Sequence, residues 1–145
     1  MPTSNATLLY LVKQLELAVR ARMDEVVGGE GLTPVQYTAL TVLARRPGLT
    51  SAELARNSFV RPQTMARITA VLEERQFVRR ETDPHSRRQM RLYLTDHGHE
   101  TVERLEPAIT AIETRMVADL DETEVEALRS ALQSSRRALG GSAAH

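Results

Sequence analysis

At 145 residues the chain is sized for one domain with a real hydrophobic core. It contains no cysteine, which excludes disulfides, thiolate metal sites and thiol redox sensing, and it has no apolar stretch long enough to cross a bilayer and no leader-like N-terminus, so a cytoplasmic protein is expected. Net charge is zero but uneven: residues 1–50 carry 5 basic and 4 acidic side chains, residues 51–95 carry 9 and 5, and residues 96–145 carry 5 and 10. The middle segment is thus the positive pole, and phosphate binding depends on local charge density rather than on the overall balance. Lys13 is the sole lysine among 19 basic residues, a bias that a GC-rich genome would also produce.

Residues 7–27 read as a first helix. Leu8, Leu11, Val12, Leu15, Val19 and Val26 recur at helical spacing, while Leu9 and Leu17 add apolar surface on another side. A terminal helix with two apolar sides needs two partners, and a second subunit is one of them. Gly28, Gly29 and Gly31 then break the chain. Thr33-Pro34-Val35-Gln36 opens a second helix with a capping box and a first-position proline. Its buried stripe holds Tyr37, Leu40 and Ala44, and Pro47-Gly48 ends it.

Thr50-Ser51-Ala52-Glu53 repeats the capping pattern and starts a short helix reaching about Asn57. After a turn over residues 58–61, Pro62 starts another helix, which faces Met65, Ile68 and Leu72 inward and leaves Gln63, Thr64 and Arg67 outward. The pair is a helix-turn-helix candidate. Two strand-like runs, residues 77–82 and 89–94, flank the arginine-rich turn Asp83-Pro84-His85-Ser86-Arg87-Arg88. In the second run Met90, Leu92 and Leu94 alternate with Gln89, Arg91 and Tyr93, the period of a half-buried strand. A helix followed by a basic hairpin suits a winged helix-turn-helix, although arginines are also common in ordinary solvated turns.

Thr95 is a good N-cap for a long helix with Val102, Leu105, Ile109, Ile112, Met116 and Leu120 on one stripe and Pro107 inside it. Asp121-Glu122-Thr123-Glu124 caps a final helix whose apolar face holds Val125, Leu128, Leu132 and Leu139, and residues 140–145 are expected to fray.

From about Leu8 to Leu139 this order of elements resembles the MarR family of bacterial transcriptional regulators. Asp83, Arg87, Arg88, Leu94 and Thr95 are similar to the family's wing signature. The run Arg61-Pro62-Gln63-Thr64-Met65-Ala66-Arg67-Ile68 is similar to the start of its recognition helix, and Leu105-Glu106-Pro107 to a feature of its long helix. Three positions depart from the pattern. Ser86 stands where aspartate is common in the wing, Gln76 where glycine commonly ends the recognition helix, and Arg61 at an N-cap where Ser, Asp or Asn is usual.

The resemblance implies a mainly α fold with a small β-hairpin wing. It is a single domain, with a winged helix-turn-helix lobe over residues 33–95 and dimerisation helices over residues 7–27 and 105–139. It further implies a homodimer on a pseudo-palindromic double-stranded DNA operator, in most relatives a repressor of its own or a neighbouring operon. Release by a small aromatic or amphipathic ligand is implied too, in a pocket among the first, second and long helices to which Tyr37, Leu40 and His97 would contribute.

Arg67 has the reach and fork geometry to read guanine, unless it is a solvated residue paired with Glu73 or Glu74. Gln63 and Thr64, at the helix start, suit base edges or phosphates, and Arg61 at the N-cap suits a phosphate. The resemblance implies that Arg87 or Arg88 enters the minor groove. Asp83 reads as structural, holding the wing by pairing with Arg87 or by bonding turn amides. His97-Gly98-His99 places two imidazoles at i and i+2, in different directions on a helix, so no metal site is expected. No phosphate loop, nucleophile elbow or nucleophile-base set is visible, so neither enzyme activity nor a cofactor is expected. Two further readings remain open: a DNA-binding or architectural protein with no effector, and a winged-helix module that binds only protein.

Overall fold

The computed structural model describes residues 5–140, apart from the side chain of Arg87; the expected fraying concerns mainly residues 141–145, which lie outside the described residues. The elements in chain order are α1 (Leu8–Gly28), α2 (Pro34–Arg45), α3 (Ser51–Asn57), α4 (Pro62–Glu74), β1 (Val78–Asp83), β2 (Ser86–Leu94), α5 (Asp96–Met116) and α6 (Glu122–Ala138). The fold is mainly α with a small two-stranded antiparallel wing.

Local chemistry fixes most boundaries. Thr33, Thr50 and Asp121 each form a reciprocal capping box with Gln36, Glu53 and Glu124, and Thr7 and Thr95 cap α1 and α5. α5 runs through Pro107 but stops at Met116, so Leu120 falls in the following turn rather than on the helical stripe. Asp121 must adopt extended backbone (φ −81°, ψ 174°) to cap α6, and the preceding helix has to end before it. Gln76 takes φ 64°, the left-handed conformation that glycine adopts more readily when closing a helix.

The core gathers Leu40, Leu43, Leu54, Met65, Leu72 and Leu92, all fully buried. β1 and β2 pair from Val78↔Leu94 to Thr82↔Met90, and the register shifts between Thr82 and Asp83. Leu49, in the loop between α2 and α3, makes an isolated bridge to Leu92, which ties the wing to the helix-turn-helix. Gly98, in the first turn of α5, lies against the wing base, where a Cβ would run into the Phe77 carbonyl. α1 follows another pattern: its single buried residue is Val27, while Met23 and Val26 pack partly on the core.

Candidate nucleic-acid interface

α4 buries Met65, Ile68, Thr69 and Leu72 and leaves Gln63, Thr64 and Arg67 exposed. Its start differs from that of the other five helices. Arg61 occupies the N-cap position in extended conformation (φ −72°, ψ 152°) but makes no side-chain cap hydrogen bond, whereas every other helix has one. First-turn N–H groups of α4 are therefore left without a side-chain acceptor, beside an exposed arginine, a combination that favours an anion. Glu73 does not pair with Arg67; it accepts from Arg80 Nε at 2.7 Å. The side chains of Arg61, Arg67 and Arg88 form no ion pair among the described residues.

The wing turn is clasped by Asp83. Its Oδ1 accepts the His85 amide at 2.9 Å, and its Oδ2 lies 3.1 Å from Arg91. The expected turn-amide bond is present, and the described cation partner is Arg91 rather than Arg87, whose side chain lies outside the described residues. Alternation puts Arg91 on the face of β2 that reaches back, where its Nη1 also donates to the Gly48 carbonyl at 2.7 Å. One guanidinium thereby bolts the wing tip to the loop between α2 and α3. The His85 amide, opposed by burial and helped by Arg91, holds the Asp83 carboxyl below the usual carboxylate range. Arg88 stands exposed beyond this clasp.

A sequence model described as MarR family matches residues 30–89. The HTH-type transcriptional repressor Rv2887 of Mycobacterium tuberculosis is 33% identical over 116 residues, covering 80% of this chain and 84% of that protein. The chain belongs to the MarR family of transcriptional regulators. Among solved MarR-type structures, the repressor CouR bound to a 23-mer DNA duplex superposes with a TM-score of 0.81 at 29% identity, covering 88% of this chain and 91% of that one. The M. tuberculosis family protein in complex with salicylic acid has a TM-score of 0.70 at 30% identity, covering 90% of this chain and 97% of that one. The present protein is thus a DNA-binding transcriptional regulator, and α3 and α4 with the hairpin are its winged helix-turn-helix.

Two clefts flank α1 of this MarR chain. One, about 670 Å³, lies between α1 and α5 and is lined by Leu15, Val19, Val26, Ala111, Ile112 and Met116, with Arg115 and an Arg22–Glu25 pair (3.1 Å) at its polar margin. The other, about 680 Å³, lies between α1, the start of α2 and the turn before α4. Phe59 edges it, 79% exposed and held at φ 62°, a conformation with a steric penalty for a non-glycine residue. Neither cleft is lined by Tyr37, Leu40 or His97. Tyr37 and Leu40 sit in the core, where burial and the nearby Glu106 lift the Tyr37 phenol above its usual range. His97 stacks on Phe77 with ring centroids 4.5 Å apart.

Sequence reading missed Arg91, and likewise Arg75, which donates to the Gly31 and Glu30 carbonyls, as internal braces, because an arginine in a basic segment gives no sign of which way it turns. Arg79 pairs with Glu81 on the exposed side of β1. The positive pole of residues 51–95 is accordingly spent in part on the protein itself.

Proposed function

We propose that this regulator is a homodimeric repressor whose paired α4 helices enter successive major grooves of a pseudo-palindromic operator. The observation that carries the reading is the start of α4: an uncapped helix N-terminus with Gln63, Thr64 and Arg67 exposed beside it, next to an arginine-bearing wing. Arg67 reads a guanine edge, Gln63 and Thr64 contact base edges or phosphates, and Arg61 contacts a phosphate. Arg87 and Arg88 follow the backbone or the minor groove, and Asp83 with Arg91 holds them at the right height. Residues 33–95 form the DNA-binding lobe, while residues 7–27 and 105–139 supply the dimer. None of these roles calls for a catalytic group or a cofactor.

The dimer reading rests on α1, whose Leu8 and Leu9 are each 80% exposed. Burying one such side chain contributes about 1.5–3 kcal/mol, so these faces stay open only if nothing can cover them. Release by a small aromatic acid is the regulatory reading, since a relative carries salicylic acid and, in a second structure, p-aminosalicylic acid. The cleft between α1 and α5 suits such a molecule better than the surroundings of Tyr37, Leu40 and His97, because it is open, apolar and edged by Arg22 and Arg115.

The test is a titration of the purified protein against the DNA upstream of its own coding sequence, with and without a panel of aromatic acids. Nanomolar binding relieved by one of the acids is expected. Binding that no acid relieves would move the protein to the effector-free class, and absence of any DNA binding would favour the protein-interaction module.

A further inference from the structure

We propose that Arg75 is a positioning residue for DNA recognition, fixing the end of α4 to the helices at the base of the molecule. The proposal rests on α4 being the DNA-reading helix. α4 packs on α3 and β1 and has no comparable interface with α1 or α5. Beyond the shared core, a polar link toward them is made at its C-terminal end. Arg75, the C-cap residue of α4, donates from Nη1 to the Gly31 carbonyl at 2.7 Å and from Nη2 to the Glu30 carbonyl at 2.9 Å. The same guanidinium lies over the Phe77 ring, 5.0 Å from its centroid.

Glu30 completes the bridge. Its carboxylate accepts from Arg104 of α5, Nε at 2.9 Å and Nη2 at 3.0 Å, a bidentate pair. Arg104, opposed by burial and helped by the charge of His97, keeps the Glu30 carboxyl below its usual range. Gly31 permits the arrangement, because its φ of 70° bends the loop and a Cβ there would stand 3.1 Å from Arg75 Nη2. One short loop is thus gripped through its carbonyls by the end of α4 and through its carboxylate by α5.

Exposed pairs of this kind add little to folding stability, yet a planar fork on two adjacent carbonyls restricts direction strongly. The spacing of two recognition helices must match about one duplex turn, roughly 34 Å, so a loosened α4 binds an operator poorly while remaining folded. Random duplex makes no such demand, because backbone contacts alone support it.

The experiment uses the full-length protein, which has no native cysteine, labelled at Glu74→Cys and Gln14→Cys on exposed positions of α4 and α1. Doubly labelled chains are diluted into unlabelled ones, so that spin-echo distances report single protomers. In Arg75→Ala the distance distribution broadens, and operator Kd rises about tenfold if the competent orientation falls to about a tenth of the population. Affinity for random duplex stays nearly constant, and Arg75→Lys, which keeps a donor, recovers part of both effects. An unchanged distance distribution, or operator and random affinities falling in parallel, would overturn the proposal. If Arg75→Ala does not fold, Arg104→Ala must broaden the same distance, and failure to do so also overturns it. Should the wild type bind no DNA, the DNA reading fails alone and the distances still decide whether the brace exists.

Discussion

Leu40 on α2 and Leu9 on α1 both give their helices apolar surface in the sequence, yet Leu40 is fully buried and Leu9 is 80% exposed. The contrast extends to whole regions. The lobe around α2, α3, α4 and the wing supplies most of the buried core, to which α1 adds Val27 and α5 adds Leu105, whereas α6 buries no residue. Periodicity therefore identifies an apolar face but not what covers it, and the uncovered faces are where the proposed second copy would pack. Two alanine substitutions put that contrast to the test. Leu40→Ala should remove about 2–5 kcal/mol of unfolding stability at any protein concentration. Leu9→Ala should instead lower the melting temperature chiefly at low concentration, through dissociation. If both behave alike in a dilution series followed by calorimetry, the division into lobe and arms is wrong.

Gly98 lies at the seam between the two regions. Alanine there would press on the Phe77 carbonyl, forcing α5 away from the wing base. Overpacking of this kind typically costs about 1–3 kcal/mol, and denaturant unfolding of Gly98→Ala should show it. A neutral result would mean that α5 and the wing are less closely seated than described.

Within the lobe, the two arginine groups should fail differently. Arg67→Ala should flatten preference at one base position by about 1–3 kcal/mol, seen by comparing operator variants. Arg87→Ala or Arg88→Ala should weaken binding across all sequences and reduce the salt slope by about one. Identical profiles for both groups would remove the distinction between base reading and backbone tracking.

The smallest effect expected concerns pH. Because the folded Asp83 carboxyl is held below its ordinary value, its contribution is fully present above about pH 4 and is lost as pH falls through the lowered folded value. Between pH 5 and 8 the clasp should not respond. Amide exchange in the wing should accelerate only below about pH 4, and Asp83→Asn should abolish that acid-dependent step. Acceleration near neutral pH would point to another group.

Much of this arrangement was legible in the sequence. The capping boxes at Thr33, Thr50 and Asp121 are short-range patterns, and each starts a helix where expected. The second wing strand followed from alternation along residues 89–94, but the structure starts β2 earlier, at Ser86, and ends β1 at Asp83, so the turn is shorter than the 83–88 stretch expected. What sequence did not reveal depends on direction in three dimensions. Asp83 pairs with Arg91 across the hairpin, because antiparallel pairing brings β2 back beside the turn. Arg75 and Arg104 meet Glu30 across 45 and 74 residues of chain, separations that no local pattern encodes. Tyr37 and Leu40 share a stripe that reads equally well as core or as cleft lining, and the structure places them in the core.

If exposed arginines of α4 and the wing hold DNA phosphates, operator affinity must fall steeply as salt rises. A dimer that neutralises about six to ten phosphates should lose roughly 10³–10⁵ in affinity between 50 and 200 mM salt, with the slope reduced in Arg88→Ala. A flat response, the same in wild type and variant, would contradict the account.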